Sequence, residues 1–113
     1  MLTNYISDDT LSILYENAAS FLFPTFYEGF GIPIIEAMIH KLPVLTSTTG
    51  AAPEVANGHA VLVNPFDPKD IAIGIGELEK FDEEKVIVAK KYAQTFTWDR
   101  VAKQTLEVYK TLV

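Results

Sequence analysis

Hydrophobic residues form two patterns along the chain, and each pattern predicts one type of element. Leu11, Leu14, Tyr15 and Ala18 recur three and four residues apart, which is typical of the buried face of a helix. Apolar runs without alternation are typical of parallel strands that are buried on both faces. Three such runs predict strands, which lie within Ser20–Pro24, Leu42–Thr46 and Ala60–Val63.

Residues that favour helix starts precede the helical stretches. Ser7, Asp67 and Thr97 are expected N-caps, and Pro68 suits the first helical position. Six helical stretches are predicted. They lie after Ser7, from about Ile32 to His40, at Pro53–Val55, from Pro68 through Leu78, from Asp82 to near Phe96, and from Thr97 toward Val113. The alternation of strands and helices predicts an α/β fold, in which about three short parallel strands carry helices on both faces.

Two of the later helical stretches carry structural expectations. Gly74 and Gly76 each weaken a helix by about 1 kcal/mol relative to alanine, so their helix should depend on tertiary packing. This pair lies inside a helical pattern, and we therefore interpret it as structural instead of phosphate-binding. Trp98, Leu106 and Tyr109 share a helix face, and Trp98 is expected in the core.

Composition excludes several classes of protein. The net charge is −6, with no basic run, which argues against binding of nucleic acid or anionic lipid. The chain has no cysteine, and its two histidines, His40 and His59, are expected at the surface outside any metal-site spacing, so no metal site is expected. Its apolar runs are far shorter than the roughly 20 residues of a membrane span, and residues at its start lack the charged-then-apolar order that is typical of a signal peptide. A cytoplasmic location is expected.

The segment from Tyr27 to Met38 carries the most informative chemistry. Glu28 and Glu36 stand eight positions apart, around Gly29, Gly31 and the first turn of a predicted helix. Free amides of that turn favour an anion such as a diphosphate. Carboxylates repel phosphate, so the glutamates suit the hydroxyl groups of a sugar or a ribose. The pattern therefore suits a nucleotide-sugar site.

Plainer explanations stand beside this one. A Gly-x-Gly turn also occurs where a strand simply leads into a packed helix, and Glu36 could then be a solvated helix residue. The hydroxyl run Thr46–Thr49, followed by Gly50, could contact a phosphate or a sugar. Such hydroxyls also bond local backbone without any ligand, and we favour this capped turn.

An ordered set of segments resembles one family. The segment around Glu28 and Glu36 resembles the E-x7-E signature of retaining, family 4 type glycosyltransferases. The other matching segments are Tyr5–Tyr15, Phe23–Glu28, Leu42–Ser47, Gly50–Val55 and Ala60–Pro68. The resemblance implies the GT-B architecture of two Rossmann domains. Residues 1–113 would form a single Rossmann-like half-domain in three layers, the second half of the C-terminal nucleotide-sugar-binding domain.

The resemblance also implies roles for residues. Glu28 would be catalytic and contact the transferred sugar, whereas Glu36 would hold the ribose hydroxyls. Donor-binding backbone amides would come from Gly29, Phe30, Gly31 and Ile32. The substrate would be a nucleotide-diphosphate sugar, and the reaction would need neither metal nor cofactor. The sugar would be transferred to a glycan or lipid-linked acceptor with retention of its anomeric configuration. The acceptor would bind through an N-terminal domain outside this sequence, so the isolated chain is expected to be inactive.

Other functions remain open at this stage. The chain could be a non-catalytic nucleotide- or sugar-binding or assembly module. A phosphoreceiver domain fits poorly, because Asp8 and Asp9 precede a helix instead of ending a strand. The Phe21–Phe23 strand is expected to have a free apolar edge, which predicts a homo-oligomer. The complete enzyme would be cytoplasmic, with peripheral attachment to a membrane as a further expectation.

Overall fold

A parallel three-stranded sheet forms the centre of the computed structural model, which describes residues 1–113. The strands lie in the order β1 (Phe21–Phe23), β2 (Val44–Ser47) and β3 (Val61–Val63). The helices are α1 (Asp8–Asn17), α2 (Ile32–Ile39), α3 (Ala52–Ala56), α4 (Pro68–Leu78), α5 (Glu83–Ala93) and α6 (Trp98–Thr111). Helix α4 covers β2 and β3 on one face, whereas α2 and α3 lie against β2 on the other. The predicted α/β architecture is confirmed.

The predicted caps begin their helices. Ser7 accepts a hydrogen bond from the Thr10 amide at 3.3 Å, and Thr97 accepts one from the Arg100 amide at 3.2 Å. Asp67 accepts from the Lys69 amide at 2.9 Å, with Pro68 at the first helical position as expected. These side chains satisfy amides that a helix cannot pair internally. The starts of α1, α4 and α6 therefore follow from local sequence.

The strands differ in burial, which corrects one prediction. All four residues of β2 are buried, because it is the central strand and has helices on both faces. The edge strands were also expected to be buried on both faces, and this was wrong. Leu22 in β1 is 46% exposed, and Leu62 in β3 is 38% exposed. Helix α4 packs on β2 and β3, so the same face of β1 stays uncovered.

The larger core cluster lies between α2 and its neighbours. Ile34 and Met38 of α2 are fully buried, as their helical spacing predicted. Helix α5 packs on α2 through Ala89 and Ala93, and both alanines belong to this core. Small side chains allow the two helices to approach closely. Helix α2 is therefore held from two sides, and this places its N-terminal end rigidly.

Helix α6 does not join the core. Trp98 is 84% exposed, and no residue of the helix is buried. The prediction of a core Trp98 was therefore wrong. Amphipathic spacing identifies an apolar face but not the surface that covers it. At 14 residues α6 is also the longest helix, and none of the helices combines the length and apolar character that crossing a bilayer requires.

Gly74 and Gly76 differ in their surroundings although both lie in α4. A Cβ at Gly74 would stand 2.4 Å from Val63 Cγ1 and 2.9 Å from Leu45 Cδ1. Gly76 has no atom within 4 Å of the same position and is exposed. Gly74 therefore permits the close packing of α4 on the sheet, whereas Gly76 makes no comparable contact.

We expect opposite effects on stability from the two alanine substitutions. Gly74→Ala should lower the free energy of unfolding by about 1–3 kcal/mol, because the methyl group overpacks the contact with β2 and β3. Gly76→Ala is the matched control and should raise it by up to about 1 kcal/mol through helix propensity. Urea unfolding of the two variants measures the difference. Equal effects would contradict the packing role of Gly74.

Candidate functional site

The candidate site lies where β1 ends and α2 begins. The connecting loop holds Glu28, and parallel strands bring their carboxyl ends to the same edge of the sheet, where ligands of α/β folds collect. Gly31 precedes the helix in a left-handed conformation, with φ of 94°, and no side chain caps the helix. Pro33 lies in the first turn, as predicted. No side chain of the molecule therefore occupies the capping position of α2, although Gly31 itself is buried.

Hydroxyl groups at the end of β2 hold this loop by its carbonyl oxygens. Thr46 Oγ1 donates to Phe23 O at the end of β1 (3.1 Å). In the loop, Ser47 Oγ donates to Thr25 O, and Thr49 Oγ1 lies 3.0 Å from Phe26 O and 3.4 Å from Thr25 O. We expected these hydroxyls to bond local backbone. They instead bond carbonyls more than 20 residues earlier in the chain, because parallel pairing of β1 and β2 brings the two loops together. The hydroxyl run is structural, as favoured, but it is not a locally capped turn.

Gly50 makes a second contact with the loop. The Ala51 amide donates to Glu28 O at 3.2 Å. At Gly50, φ is 62°, and a Cβ would lie 3.0 Å from both Glu28 N and Glu28 O. Any side chain there would be strained and would press on the Glu28 backbone. Gly50 therefore positions Glu28. The sequence pattern did not lead us to predict this role, although a glycine at the end of the hydroxyl run was a signal for it.

The same loop keeps its hydrogen-bond donors free. None of the six backbone amides from Phe26 to Gly31 donates a hydrogen bond within the chain. The Glu28 carboxylate likewise takes part in no hydrogen bond or ion pair. Phe26, Tyr27 and Gly29 are exposed, and Glu28 is half-buried. The loop thus offers amide donors and one carboxylate acceptor to a ligand.

The other predicted donor-binding residues have different surroundings. The Phe30 ring packs edge-on against Phe96, with ring centroids 5.8 Å apart, so its side chain is engaged within the chain. Ile32 is exposed at the first position of α2. The prediction for these residues concerns their backbone amides.

Glu36 faces helix α1. Its Oε2 accepts a hydrogen bond from the Tyr15 hydroxyl at 3.2 Å. Glu36 lines a surface hollow of about 180 Å³ together with Asp8, Leu11, Ser12, Tyr15, Ile39 and His40. Glu28 is not part of this hollow. The two glutamates therefore lie in separate surroundings within this chain.

Tyr15 is the partner that sequence reasoning missed. It was expected only as an apolar position of α1, and it is indeed 7% exposed. Its ring lies edge-on to Phe21 and stacks on His40, with centroid distances of 5.5 and 5.3 Å. Burial, followed by the negative charge of Glu36 and their hydrogen bond, raises the pKa of Tyr15 to about 12. The signal was present, because a buried phenol needs a hydrogen-bond partner.

The histidines differ from the prediction of surface residues. His40 is half-buried against Tyr15, and His59 is half-buried beside Tyr92, whose ring centroid lies 4.6 Å away. Aromatic neighbours give both imidazoles a packing role. The chain brings no three histidine, cysteine or acidic side chains together as a group able to hold a metal ion.

Comparison with known proteins identifies the family. The family model described as glycosyl transferases group 1 matches residues 1–80. The O-antigen chain mannosyltransferase B of Escherichia coli is 35% identical over 96% of this chain and 29% of that enzyme. The MMP alpha-(1->4)-mannosyltransferase of Mycolicibacterium hassiacum is 32% identical over 96% of the chain and 28% of that enzyme. The chain belongs to the glycosyl transferases group 1 family.

A solved structure agrees with this assignment. Sucrose-phosphate synthase from Thermosynechococcus elongatus superposes with a TM-score of 0.81 at 25% identity, covering 99% of this chain and 30% of that one. The chain thus spans slightly less than a third of the length of these relatives. Its fold is that of part of a GT-B glycosyltransferase.

The contact between Tyr15 and Glu36 predicts a loss of stability at alkaline pH. The folded-state pKa of about 12 lies above the ordinary value of 10.0. The neutral phenol therefore stabilises the fold fully below pH 10, and this contribution is lost as pH rises through 12. The full effect is on the order of 2 kcal/mol. In urea unfolding, wild type should lose stability more steeply than Tyr15→Phe over this range, and parallel profiles would contradict the assignment.

Proposed function

We propose that this chain forms the donor-binding part of a glycosyltransferase that uses a nucleotide-diphosphate sugar. In this proposal residues 1–113 are the second half of the C-terminal nucleotide-sugar-binding domain. The observation that carries it is the loop from Phe26 to Gly31, in which Thr49 and the Ala51 amide hold the carbonyls of Phe26 and Glu28 while the six amides have no partner in the chain. Family membership supports the same function.

The proposed roles follow from the loop chemistry. The amides of Gly29, Phe30, Gly31 and Ile32 donate hydrogen bonds to the sugar and the diphosphate. The uncapped start of α2 adds the positive end of a helix dipole, which stabilises the charge of the leaving diphosphate. Basic side chains, metal and cofactor are not needed for this step within the chain. An amide-lined loop without a cation suits a ligand that brings both phosphate and hydroxyl groups.

The two glutamates act on hydroxyl-bearing parts of the donor. Glu28, which has no partner in the chain, contacts the transferred sugar near its reacting carbon. Glu36 holds the ribose hydroxyls from its place beside α1, and the separate surroundings of the two glutamates are consistent with separate parts of one extended ligand. Transfer proceeds with retention to a glycan or lipid-linked acceptor bound by another part of the protein. Since several relatives are mannosyltransferases, a mannosyl donor is the first to test.

Replacing Glu28 tests the catalytic role. In the full-length protein that carries this sequence, Glu28→Gln should reduce transfer at least about 100-fold, because the carboxylate faces the reacting sugar. The free energy of unfolding should change by less than about 0.5 kcal/mol. Glu79→Gln, an exposed control in the segment after α4, should retain full transfer. Sugar transfer from a radiolabelled donor and urea unfolding measure the two effects.

The outcomes also separate the alternative function. Comparable loss of stability and transfer in Glu28→Gln would return this residue to a structural role. A non-catalytic recognition module would instead bind UDP, GDP or ADP in calorimetric titration, while wild type transferred no sugar. Failure of wild type to bind any of these nucleotides would overturn the proposed function.

We also propose that the chain self-associates through β1. Hydrogen bonding to β2 uses one side of β1, and the other side is a free edge beside the exposed Leu22. Free apolar edges pair with further strands. Leu22→Lys should therefore reduce the associated fraction in light scattering. Leu62→Lys tests the other free edge of the sheet, on β3, and should leave association unchanged. An equal reduction by Leu62→Lys, or a wild-type monomer at high concentration, would contradict pairing through β1.

A further inference from the structure

We infer that Tyr15 is a positioning residue, whose hydroxyl orients the Glu36 carboxylate toward the ribose hydroxyls of a nucleotide. This inference rests on the role of Glu36 in the proposed function. The Tyr15 hydroxyl donates to Glu36 Oε2 at 3.2 Å and links α1 to α2 across 21 positions of sequence. A side chain of α1 thereby orients the carboxylate of Glu36 in α2.

The hydrogen bond occupies only part of the carboxylate. Oε1 of Glu36 has no hydrogen-bond partner in the chain, and a carboxylate can accept about four hydrogen bonds. With Oε2 held by the phenol, rotation of the carboxylate is restricted while Oε1 remains free. A pair of neighbouring ribose hydroxyls requires an acceptor in a defined orientation, and this arrangement supplies one.

The surroundings of Tyr15 make it a rigid donor. Its ring is buried between Phe21 and His40, so the phenol has little freedom to move. Because the pKa of Tyr15 is raised to about 12, the hydroxyl keeps its proton at any physiological pH. The hydrogen bond is therefore a constant feature of the folded chain and not a pH-dependent switch.

Glu36 is oriented by a neutral donor. It forms no ion pair, and the hollow beside it is lined by His40 and Asp8 but by no lysine or arginine. A bidentate arginine would also orient the carboxylate, but it would neutralise the charge and occupy both oxygens. A neutral phenol orients one oxygen and leaves the negative charge available to hydroxyl donors.

The test compares nucleotides with and without ribose hydroxyls. UDP, GDP and ADP and their 2′,3′-dideoxy counterparts are titrated calorimetrically into the full-length protein and its variants. Wild type should prefer a ribonucleotide by about tenfold or more, as expected for hydrogen bonds to a charged acceptor. Glu36→Gln should remove most of this preference. Tyr15→Phe, which keeps the buried ring, should reduce the preference by at least about threefold.

Tyr92→Phe is the matched control. Tyr92 also donates a part-buried phenol hydrogen bond, at 2.9 Å, but to the backbone oxygen of Val55. Its loss should lower stability without changing the preference for ribose. A general loss of stability would therefore affect both variants, whereas loss of positioning affects Tyr15→Phe alone.

The outcomes distinguish the inference from the proposed function. Wild type that binds both nucleotide forms equally, or binds neither, would overturn the role of Glu36 and the inference together. Wild type that discriminates, with Glu36→Gln that does not, would support the proposed function. If Tyr15→Phe then kept the full preference, or lost no more of it than Tyr92→Phe, the positioning role alone would be overturned.

Discussion

The site depends on how the carbonyl oxygens of one loop are satisfied. Ser47 and Thr49 donate to carbonyls of the β1–α2 connection, Thr46 donates to the last carbonyl of β1, and the Ala51 amide donates to the Glu28 carbonyl. Each bond holds the loop by its acceptor side. The amides from Phe26 to Gly31 therefore remain available, although their backbone is held in place. A loop held through its amides would have the same shape but no donors for a ligand.

This arrangement ties the site to the sheet. Strand β2 is buried on both faces and carries the hydroxyls that hold the loop, so the best-packed strand supports the most open segment. Gly74 allows α4 to approach that strand, and the alanines of α5 allow a close approach to α2. Core packing thus determines the geometry of a surface loop. The edge strands and α6 contribute less, and their apolar residues remain partly exposed.

Much of the fold was predictable, because its signals are local. The N-caps Ser7, Asp67 and Thr97, and the apolar runs of the strands, indicated element order and type before any contact was known. Burial at the edges was not predictable to the same degree. Leu22 and Trp98 are as hydrophobic as core residues, but their burial depends on whether another element covers them. The hydrophobic pattern of a chain does not show whether another element packs on a given apolar side chain.

The sequence by itself determined the class of fold, the segment that contains the two glutamates, and the family of the chain, because the spacing and chemical type of residues are local properties. Tertiary structure determined which of these residues form hydrogen bonds with one another. It joined the hydroxyls of β2 to a loop more than 20 residues earlier and brought the Tyr15 phenol to Glu36. Such contacts follow from the parallel register and from helix packing, which place residues distant in sequence within hydrogen-bond reach. Geometry of this kind arises only when the whole core assembles.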